Sequence, residues 1–235
     1  MRKSLIIIML MVLAALIVNA QGIFNEVEIK LGFTNSNQRL TYPDGASRTF
    51  DVLAGSAFIV SVNFYEKQLS DQFKLQLFAD VGQVEKGMRD KYHYYLPSGS
   101  RATDYYENTV TYFSLMPNAR LGLFYKRFIF YALLGFKFDI YSNHKLETGY
   151  EELFLTADGS RYITWDDLYG NFNSNVMGFT FGGGMGIILG KERNFKFLME
   201  LRMDRDLGLA TEDVLELENT KTWIFFFGLG YRFSK

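Results

Sequence analysis

Two long runs of alternating apolar and polar residues, joined by only two residues, constrain the fold more than any other feature. They lie between Thr109 and Tyr141 and are separated by Lys126 and Arg127. Successive strand residues point to opposite faces of a sheet, so this pattern predicts a β-hairpin whose strands each have one apolar face. Each run exceeds the roughly five or six residues of a typical globular strand and reaches the roughly 9 to 11 with which a tilted strand crosses a bilayer. The hairpin therefore favours a membrane-spanning sheet.

The same alternation recurs along the chain and predicts about eight strands in all, with long and short connections in turn. The longest predicted loops are 84–108 and 142–175. Only helices and closed barrels satisfy every backbone polar group inside lipid, and bacterial barrels have an even number of strands. We therefore predict an all-β fold, a transmembrane antiparallel up-and-down β-barrel. The six strands outside the first hairpin are predicted at Glu26–Phe33, Ala57–Tyr65, Phe73–Gly82, Val176–Leu189, Phe195–Met203 and Trp223–Phe233.

The first 20 residues have the pattern of a secretory signal peptide. Arg2 and Lys3 precede the apolar run Leu5–Val18, and small residues follow it up to Ala20. This run is shorter than the roughly 18 residues that an N-terminal membrane helix needs, so we predict cleavage after Ala20. The expected organisation is a signal peptide at 1–20 and one barrel domain at 21–235. The expected location is a Gram-negative outer membrane, with both termini in the periplasm.

The charge and the composition narrow the expected partners. The 235-residue chain has a formal net charge of −1 and contains no cysteine. Without an excess of basic residues there is no reason to expect nucleic-acid binding. Without cysteine there can be no disulfide, thiolate metal site, cysteine nucleophile or lipoprotein anchor. The expected partners are outer-membrane lipid, the barrel-assembly machinery during insertion, and other envelope proteins.

The mixed faces of the predicted strands carry charges of both signs together with many glycines. A barrel of about eight strands has its interior filled by side chains, so these charges are expected to pair inside the barrel and to close it. An open diffusion pore is the alternative. Glycine either leaves room for large neighbours or permits bends of the barrel, and the sequence does not separate the two. The predicted lumen charge network consists of Glu28, Lys30, Arg120, Lys137, Asp139, Glu200 and Arg202, with Asp80 beside it.

Two long predicted loops are rich in aromatic residues. Exposed aromatic side chains often anchor binding surfaces, although they can equally pack loops together above a barrel. The candidate interaction surface comprises Tyr92, Tyr94, Tyr95, Tyr105 and Tyr106 in one loop and Tyr162, Trp165 and Tyr169 in the other.

Catalytic and ligand-binding signals are weak. The only two histidines, His93 and His144, lie in different predicted loops, and no spacing ties them to a carboxylate such as Asp139 or to a serine. The glycines of 182–186 lie within a strand and do not match the dinucleotide fingerprint. The acidic loops lack a spaced cation-binding motif. We therefore predict no catalytic residue, cofactor or metal.

Five segments within or next to the predicted strands have a recognisable pattern: Tyr112–Pro117, Gly178–Gly186, Leu198–Arg202, Asp206–Leu209 and Gly228–Phe233. In these segments the chain resembles the PorT-like outer-membrane β-barrel family of Bacteroidetes. The resemblance implies a small eight-stranded barrel, and the namesake branch of that family is linked to protein secretion and gliding.

Together these observations favour a non-enzymatic outer-membrane barrel with a structural or interaction role through its extracellular loops or periplasmic turns. Three functional alternatives stay open: an accessory of a secretion or gliding apparatus, a narrow channel or small-ligand transporter, and a loop-based hydrolase or acyltransferase. A soluble lipocalin-type barrel is the competing fold, and it would place the apolar face inside.

Overall fold

The fold is a single antiparallel sheet that closes on itself. The computed structural model describes residues 24–41, 47–49, 51–95, 101–148, 154–155, 162–163, 175–190, 192, 194–207, 209–210 and 216–233. Each long strand pairs with the next one along the chain, and the last pairs with the first. The eight long strands are β1 (Glu26–Thr41), β2 (Asp51–Gln68), β3 (Phe73–Tyr95), β4 (Arg101–Tyr125), β5 (Phe128–Thr148), β6 (Asn175–Leu189), β7 (Phe195–Asp206) and β8 (Glu216–Arg232). The predicted eight-stranded up-and-down barrel is confirmed.

Four short strand segments accompany the barrel. Ser47–Thr49 pairs with the end of β1, and Leu209–Ala210 pairs with the start of β8. Phe154–Leu155 and Tyr162–Ile163 form a separate two-stranded ribbon. Within the described ranges, no helix is long and apolar enough to cross a membrane.

The two ends of the barrel differ in their connections. At the turn-side end, three short turns join β2 to β3, β4 to β5 and β6 to β7. The β4–β5 turn is Lys126–Arg127 alone, and Lys126 has φ 56, a positive value of the kind that two-residue hairpin turns require. At the opposite, loop-side end the connections between the long strands are 42–50, 96–100, 149–174 and 207–215. The predicted alternation of short and long connections is therefore wrong at 96–100, which is as short as the turn 190–194.

Apolar residues cover the outside of the barrel, and a mixture of polar and apolar residues fills the inside. On β8, Leu229 is 65% exposed, whereas Phe226 is fully buried. The same alternation holds on the other strands, because successive residues face opposite sides of the sheet. A soluble barrel of the lipocalin type would require the opposite arrangement and is wrong for this chain. Outward positions with strongly exposed apolar side chains include Leu31, Phe33, Leu121, Leu134, Phe136, Phe138, Met177, Met185, Leu201 and Leu229.

Several predicted loops are wrong because the strands continue beyond the apolar band. The predicted loop 84–108 is mostly strand, since β3 runs to Tyr95 and β4 begins at Arg101. Likewise β1 extends to Thr41, β5 to Thr148 and β7 to Asp206. Outside the hydrocarbon region both faces of a strand can meet water, so the apolar alternation disappears while the pairing continues. The sequence Pro-Asp-Gly at 43–45, which predicts a turn, lies outside the described residues.

Glycines on the inner face make room for large neighbours at two clear positions. A Cβ atom at Gly184 would lie 2.6 Å from the hydroxyl oxygen of Tyr131. A Cβ atom at Gly32 would lie 2.6 Å from Cδ1 of Phe226. At these positions the missing side chain provides the space that the ring occupies.

Candidate functional site in the charged lumen and the protruding hairpin

The interior of the barrel holds two main groups of buried charged side chains, and a further buried pair, Lys196 and Glu26, lies next to Glu28. The members of the two groups come from alternate positions of five strands, because only every second residue of a strand points inward. The central cluster comprises Glu28, Lys30, Asp80, Arg120, Glu200 and Arg202. The loop-side cluster comprises Lys86, Lys137, Asp139, Asp204 and Asp206.

The central cluster is built around Arg120 and Lys30. Arg120 Nη1 donates to both carboxylate oxygens of Glu28, at 2.8 and 2.9 Å. Lys30 Nζ lies 3.2 Å from Oε2 of Glu28 and 3.6 Å from Oδ2 of Asp80. The Arg120 guanidinium also stacks on Phe78, with its Cζ atom 3.7 Å from the ring centroid. These contacts link β1, β3 and β4 across the lumen.

The other side of the central cluster is built around Glu200. Arg202 donates to Glu200 and also to Asp80. Tyr131 donates its hydroxyl hydrogen to Oε2 of Glu200 at 2.7 Å, and Lys30 Nζ lies 3.4 Å from the same carboxylate. The central cluster therefore contains three cations and three anions, and each charge faces at least one of opposite sign.

The loop-side cluster contains two cations and three anions. Lys86 Nζ donates to Asp139 at 2.6 Å and to Asp206 at 2.7 Å. Lys137 also donates to Asp206 and lies 3.1 Å from Asp139. Ser114 donates to the remaining oxygen of Asp139 at 2.6 Å.

Asp204 is the exception among these carboxylates. It is fully buried, and neither of its oxygens accepts a hydrogen bond from the residues that the structure describes. Its Oδ2 lies 3.7 Å from Lys137 Nζ, a cation that is already bonded to Asp206. The loop-side cluster thus has an excess of one negative charge among the described side chains.

An apolar layer lines part of the lumen wall next to the charged clusters. It consists of Ala57, Ile59, Val84, Met116, Ile224 and Phe226, all buried and in mutual contact. Along β3, Val84 separates Asp80 from Lys86, and along β4, Met116 separates Arg120 from Ser114. The described lumen is therefore filled both by ion pairs and by an apolar layer.

The structure divides the predicted lumen network between the two clusters. Glu28, Lys30, Arg120, Glu200 and Arg202 belong to the central cluster, together with Asp80. The loop-side cluster contains the other two predicted residues, Lys137 and Asp139.

Sequence reasoning missed Lys86, Asp204 and Asp206. Lys86 fell in the predicted loop 84–108, and both aspartates lie beyond the predicted end of β7 at Met203. The available signal was the unbroken period of two: Lys86 follows Asp80, Gly82 and Val84 on even positions. Asp204 and Asp206 continue the inward series of Glu200 and Arg202 in the same way.

The predicted aromatic surface lies mainly on a protruding hairpin. Strands β3 and β4 stay paired from Val84 opposite Tyr112 up to Tyr95 opposite Arg101. The pairing of β2 with β3 ends at Arg89, and that of β5 with β4 ends at Tyr106. In the described chain, Asp90–Tyr95 therefore pairs with no strand other than β4, and Arg101–Tyr105 pairs with no strand other than β3. We call these two segments the hairpin tip.

The predicted aromatic residues are distributed unevenly over this surface. Tyr92, Tyr94, Tyr95 and Tyr105 lie on the hairpin tip, and Tyr106 lies at its base. Tyr162 belongs to the separate two-stranded ribbon. Trp165 and Tyr169 lie outside the described residues.

The structure does not bring the two histidines together. His93 on β3 is opposite Thr103 of β4, whereas His144 on β5 is opposite Val110 of the same strand. Two positions seven residues apart on one strand are separated by about 23 Å, at roughly 3.3 Å per residue. Asp139 is bound by Lys86 and Ser114 inside the barrel. Among the residues that the structure describes, no group of three or more histidines and carboxylates could hold a metal ion.

Comparison with protein-family models finds no match, and comparison with curated proteins also finds none. Among solved structures, the chain is similar to Ail, the attachment invasion locus protein of Yersinia pestis, at 13% identity and a TM-score of 0.37, covering 89% of this chain and 99% of that chain. It is similar to the outer membrane protease OmpT from Escherichia coli at 9% identity and a TM-score of 0.47, covering 89% and 97%. It is also similar to the outer membrane protein OprG from Pseudomonas aeruginosa at 14% identity and a TM-score of 0.41, covering 92% and 99%.

These similarities are distant, and the description of the chain rests on its own geometry. The sheet is closed, its lipid-facing side is apolar, and its interior is polar and filled. This is the architecture of an outer-membrane β-barrel.

Proposed function

We propose that this outer-membrane β-barrel is a non-enzymatic interaction protein that binds another envelope component through the hairpin tip. The observation that carries the proposal is the two-stranded extension of β3 and β4 beyond the rest of the sheet. In the described chain both of its outer edges lack a neighbouring strand. Unpaired edges present rows of free N–H and C=O groups, which readily accept a further strand.

The proposal includes an orientation in the membrane. Bacterial barrels have short turns on the periplasmic side and long connections outside, so the turn-side end is periplasmic and the hairpin tip is extracellular. This orientation also places both chain termini in the periplasm. The signal peptide proposed for residues 1–20 lies outside the described residues and would direct the export on which the arrangement depends. Insertion then requires the barrel-assembly machinery.

The hairpin tip suits a protein partner better than a soluble ligand. Its two segments of six and five residues are long enough for a partner strand to add to either edge. Four of the eight predicted interface aromatics lie on these segments. Tyrosine side chains supply large contact areas with little loss of conformational entropy. The tyrosines of the hairpin tip can therefore add specificity to the backbone contacts with a partner strand.

The filled lumen supports an interaction role over transport. Both charged clusters and the apolar layer occupy the interior. Opening a channel would require breaking the buried ion pairs of the two clusters. We expect the purified protein to show no steady conductance in planar bilayers. Stable single-channel steps at neutral pH would favour the narrow-channel alternative instead.

The test is site-specific photo-cross-linking in living cells. A photo-reactive amino acid replaces Tyr94 on the hairpin tip, and in a matched variant it replaces Lys126 in the β4–β5 turn. We expect a discrete cross-linked product of higher mass from the Tyr94 position and none from Lys126. A product from Lys126 alone would move the interaction to the periplasmic turns. Efficient photolysis without a product at either position would contradict the partner role.

Identification of the captured protein by mass spectrometry also tests the secretion or gliding role that the sequence resemblance implies. Components of a secretion or motility apparatus in the Tyr94 product would support that role. Other captured envelope proteins would support a different assembly. Enzymatic activity is tested separately, because the loop-hydrolase alternative requires that His93→Ala or His144→Ala abolish a measurable reaction.

A further inference from the structure

A pair of cations on the outer surface lies at the loop-side edge of the apolar band. Arg205 of β7 and Lys221 of β8 are directly opposite each other in the sheet. Both side chains point outward and are exposed, whereas their neighbours Asp204 and Thr222 are buried in the lumen. Opposite residues on one face of an antiparallel pair have Cβ atoms about 5 Å apart. The two positive charges therefore share one small area of the surface.

Among the residues that the structure describes, no other two cations are directly opposite each other in neighbouring strands. Most outward residues that end the apolar band elsewhere are neutral: Asn35, Ser56, Thr111, Ser142 and Asn175. Glu85 is the charged exception, and its carboxylate accepts hydrogen bonds from the backbone nitrogen and the hydroxyl of Ser56. Positive charge at this edge is thus concentrated where β7 meets β8.

The arrangement of Arg205 and Lys221 is unfavourable without a counter-charge. Like charges directly opposite each other destabilise a sheet. In the described part of the chain, neither side chain forms an ion pair with a carboxylate. An anion placed between the two cations would remove this repulsion and would make two charge-assisted contacts.

The surroundings place this pair at the level of lipid headgroups. Trp223 follows Lys221 by two residues on the same face and is 49% exposed, as expected of a side chain at a membrane interface. Phe179 lies opposite Arg205 on β6, and Leu207 is exposed just beyond it. Apolar surface for acyl chains therefore begins immediately below the two cations.

We infer that Arg205 and Lys221 form a binding site for the phosphate group of a lipid in the outer leaflet. The inference rests on the proposed orientation, which places the loop-side edge at the outer surface of the membrane. The planar guanidinium can donate two parallel hydrogen bonds to a phosphate, and the ammonium adds a point charge. Trp223 and Phe179 then contact the acyl chains of the same lipid.

The inference is tested by binding lipid A to the folded protein in detergent micelles. Trp165→Phe leaves Trp223, beside the proposed site, as the only tryptophan, so its fluorescence reports binding. The titrations compare diphosphorylated lipid A, dephosphorylated lipid A and inorganic phosphate. The test variant is Arg205→Gln with Lys221→Gln. The control is Lys126→Gln with Arg127→Gln, which removes two exposed cations at the turn-side end.

We expect diphosphorylated lipid A to bind more tightly than either other compound. The test variant should weaken this binding by roughly tenfold to thirtyfold, since each basic residue near a membrane surface contributes on the order of 1 kcal/mol. The control variant should bind like the parent. Equal affinity for dephosphorylated lipid A, an equal loss in the control, or inorganic phosphate binding as tightly as the lipid would overturn the inference. Heat-dependent gel mobility confirms that each variant is folded.

A separate measurement distinguishes failure of this site from failure of the proposed orientation. The chain has no cysteine, so Ser98→Cys introduces a single thiol between β3 and β4. Labelling of intact cells with a membrane-impermeant maleimide supports the orientation. If the protein binds lipid A in micelles but Ser98→Cys is not labelled in intact cells, the phosphate site is supported and its assignment to the outer leaflet is wrong.

Discussion

The central cluster and the loop-side cluster contain the same kinds of side chain but differ in charge balance. Three cations face three anions in the central cluster, whereas two cations face three anions in the loop-side cluster. Every carboxylate of the central cluster contacts a cation within 3.6 Å. In the loop-side cluster Asp204 has only the longer contact with Lys137, at 3.7 Å.

This difference determines how each cluster should respond to the loss of one charge. Removing one partner of a buried ion pair leaves an uncompensated charge in a poorly solvated site, which costs roughly 3–5 kcal/mol. Removing the excess charge of an unbalanced cluster instead leaves the remaining charges balanced, so this change should not destabilise the protein. The central cluster is therefore expected to be sensitive to every neutralising change, and the loop-side cluster to tolerate one of them.

Arg120→Met is expected to have the largest effect. The substitution removes the guanidinium nitrogen that contacts both carboxylate oxygens of Glu28, and it removes the guanidinium from the face of Phe78. We expect a loss of about 4 kcal/mol in the free energy of unfolding, measured by urea titration in lipid vesicles. Adding Glu28→Gln should recover part of this loss, because the carboxylate is then no longer charged. No recovery in the double variant would contradict the pairing.

Asp80→Asn is expected to rank second. It preserves the shape of the side chain but leaves three cations facing two anions, with Arg202 losing a charged acceptor. We expect a destabilisation of about 3 kcal/mol in the same vesicle assay. A change below about 1 kcal/mol, as is usual for a surface pair, would show that the central cluster is not balanced in the way described.

Tyr131→Phe changes no charge and should have a smaller effect. It removes only the hydroxyl that donates to Glu200 at 2.7 Å, and Arg202 and Lys30 still contact that carboxylate. The expected loss is about 2 kcal/mol, the scale of a hydrogen bond to a charged group. A loss as large as that of Asp80→Asn would indicate that the ring position also changes.

Asp204→Asn is expected to have the smallest effect: the free energy of unfolding should stay the same or increase. It makes the same chemical change as Asp80→Asn, but it leaves two cations facing two anions in the loop-side cluster. We expect a gain of between zero and about 1 kcal/mol, because a buried carboxylate without a hydrogen-bond donor is replaced by a neutral amide. A destabilisation comparable to that of Asp80→Asn would remove the distinction between the two clusters.

The barrel was predictable from the sequence because each spanning strand has one lipid-facing side. Lipid requires an apolar residue at every second position, as at Phe136, Phe138 and Ile140. That requirement ends at the membrane surface. The continuation of β3 to Tyr95 and of β7 to Asp206 was missed for this reason, since pairing beyond the membrane leaves no apolar period.

The candidate site was predictable in composition but not in arrangement. The inward position of Glu28, Lys30 and Arg120 follows from their alternation with apolar residues. Which carboxylate each cation contacts depends on the stagger between strands that are far apart in sequence, and a period of two carries no information about stagger. The division into two clusters, and the isolation of Asp204, therefore required the three-dimensional structure.

The pairing of β8 with β1 has a consequence for the order of events during folding. Arg232 pairs with Glu26, so the contact that closes the sheet joins residues from opposite ends of the described chain. Contacts between residues distant in sequence form slowly, because the intervening chain must first lose conformational entropy. The seven hairpin contacts between consecutive strands can form earlier. Every intermediate before closure then exposes the free edges of β1 and β8, and its lifetime sets how long a chaperone or an assembly factor must shield them.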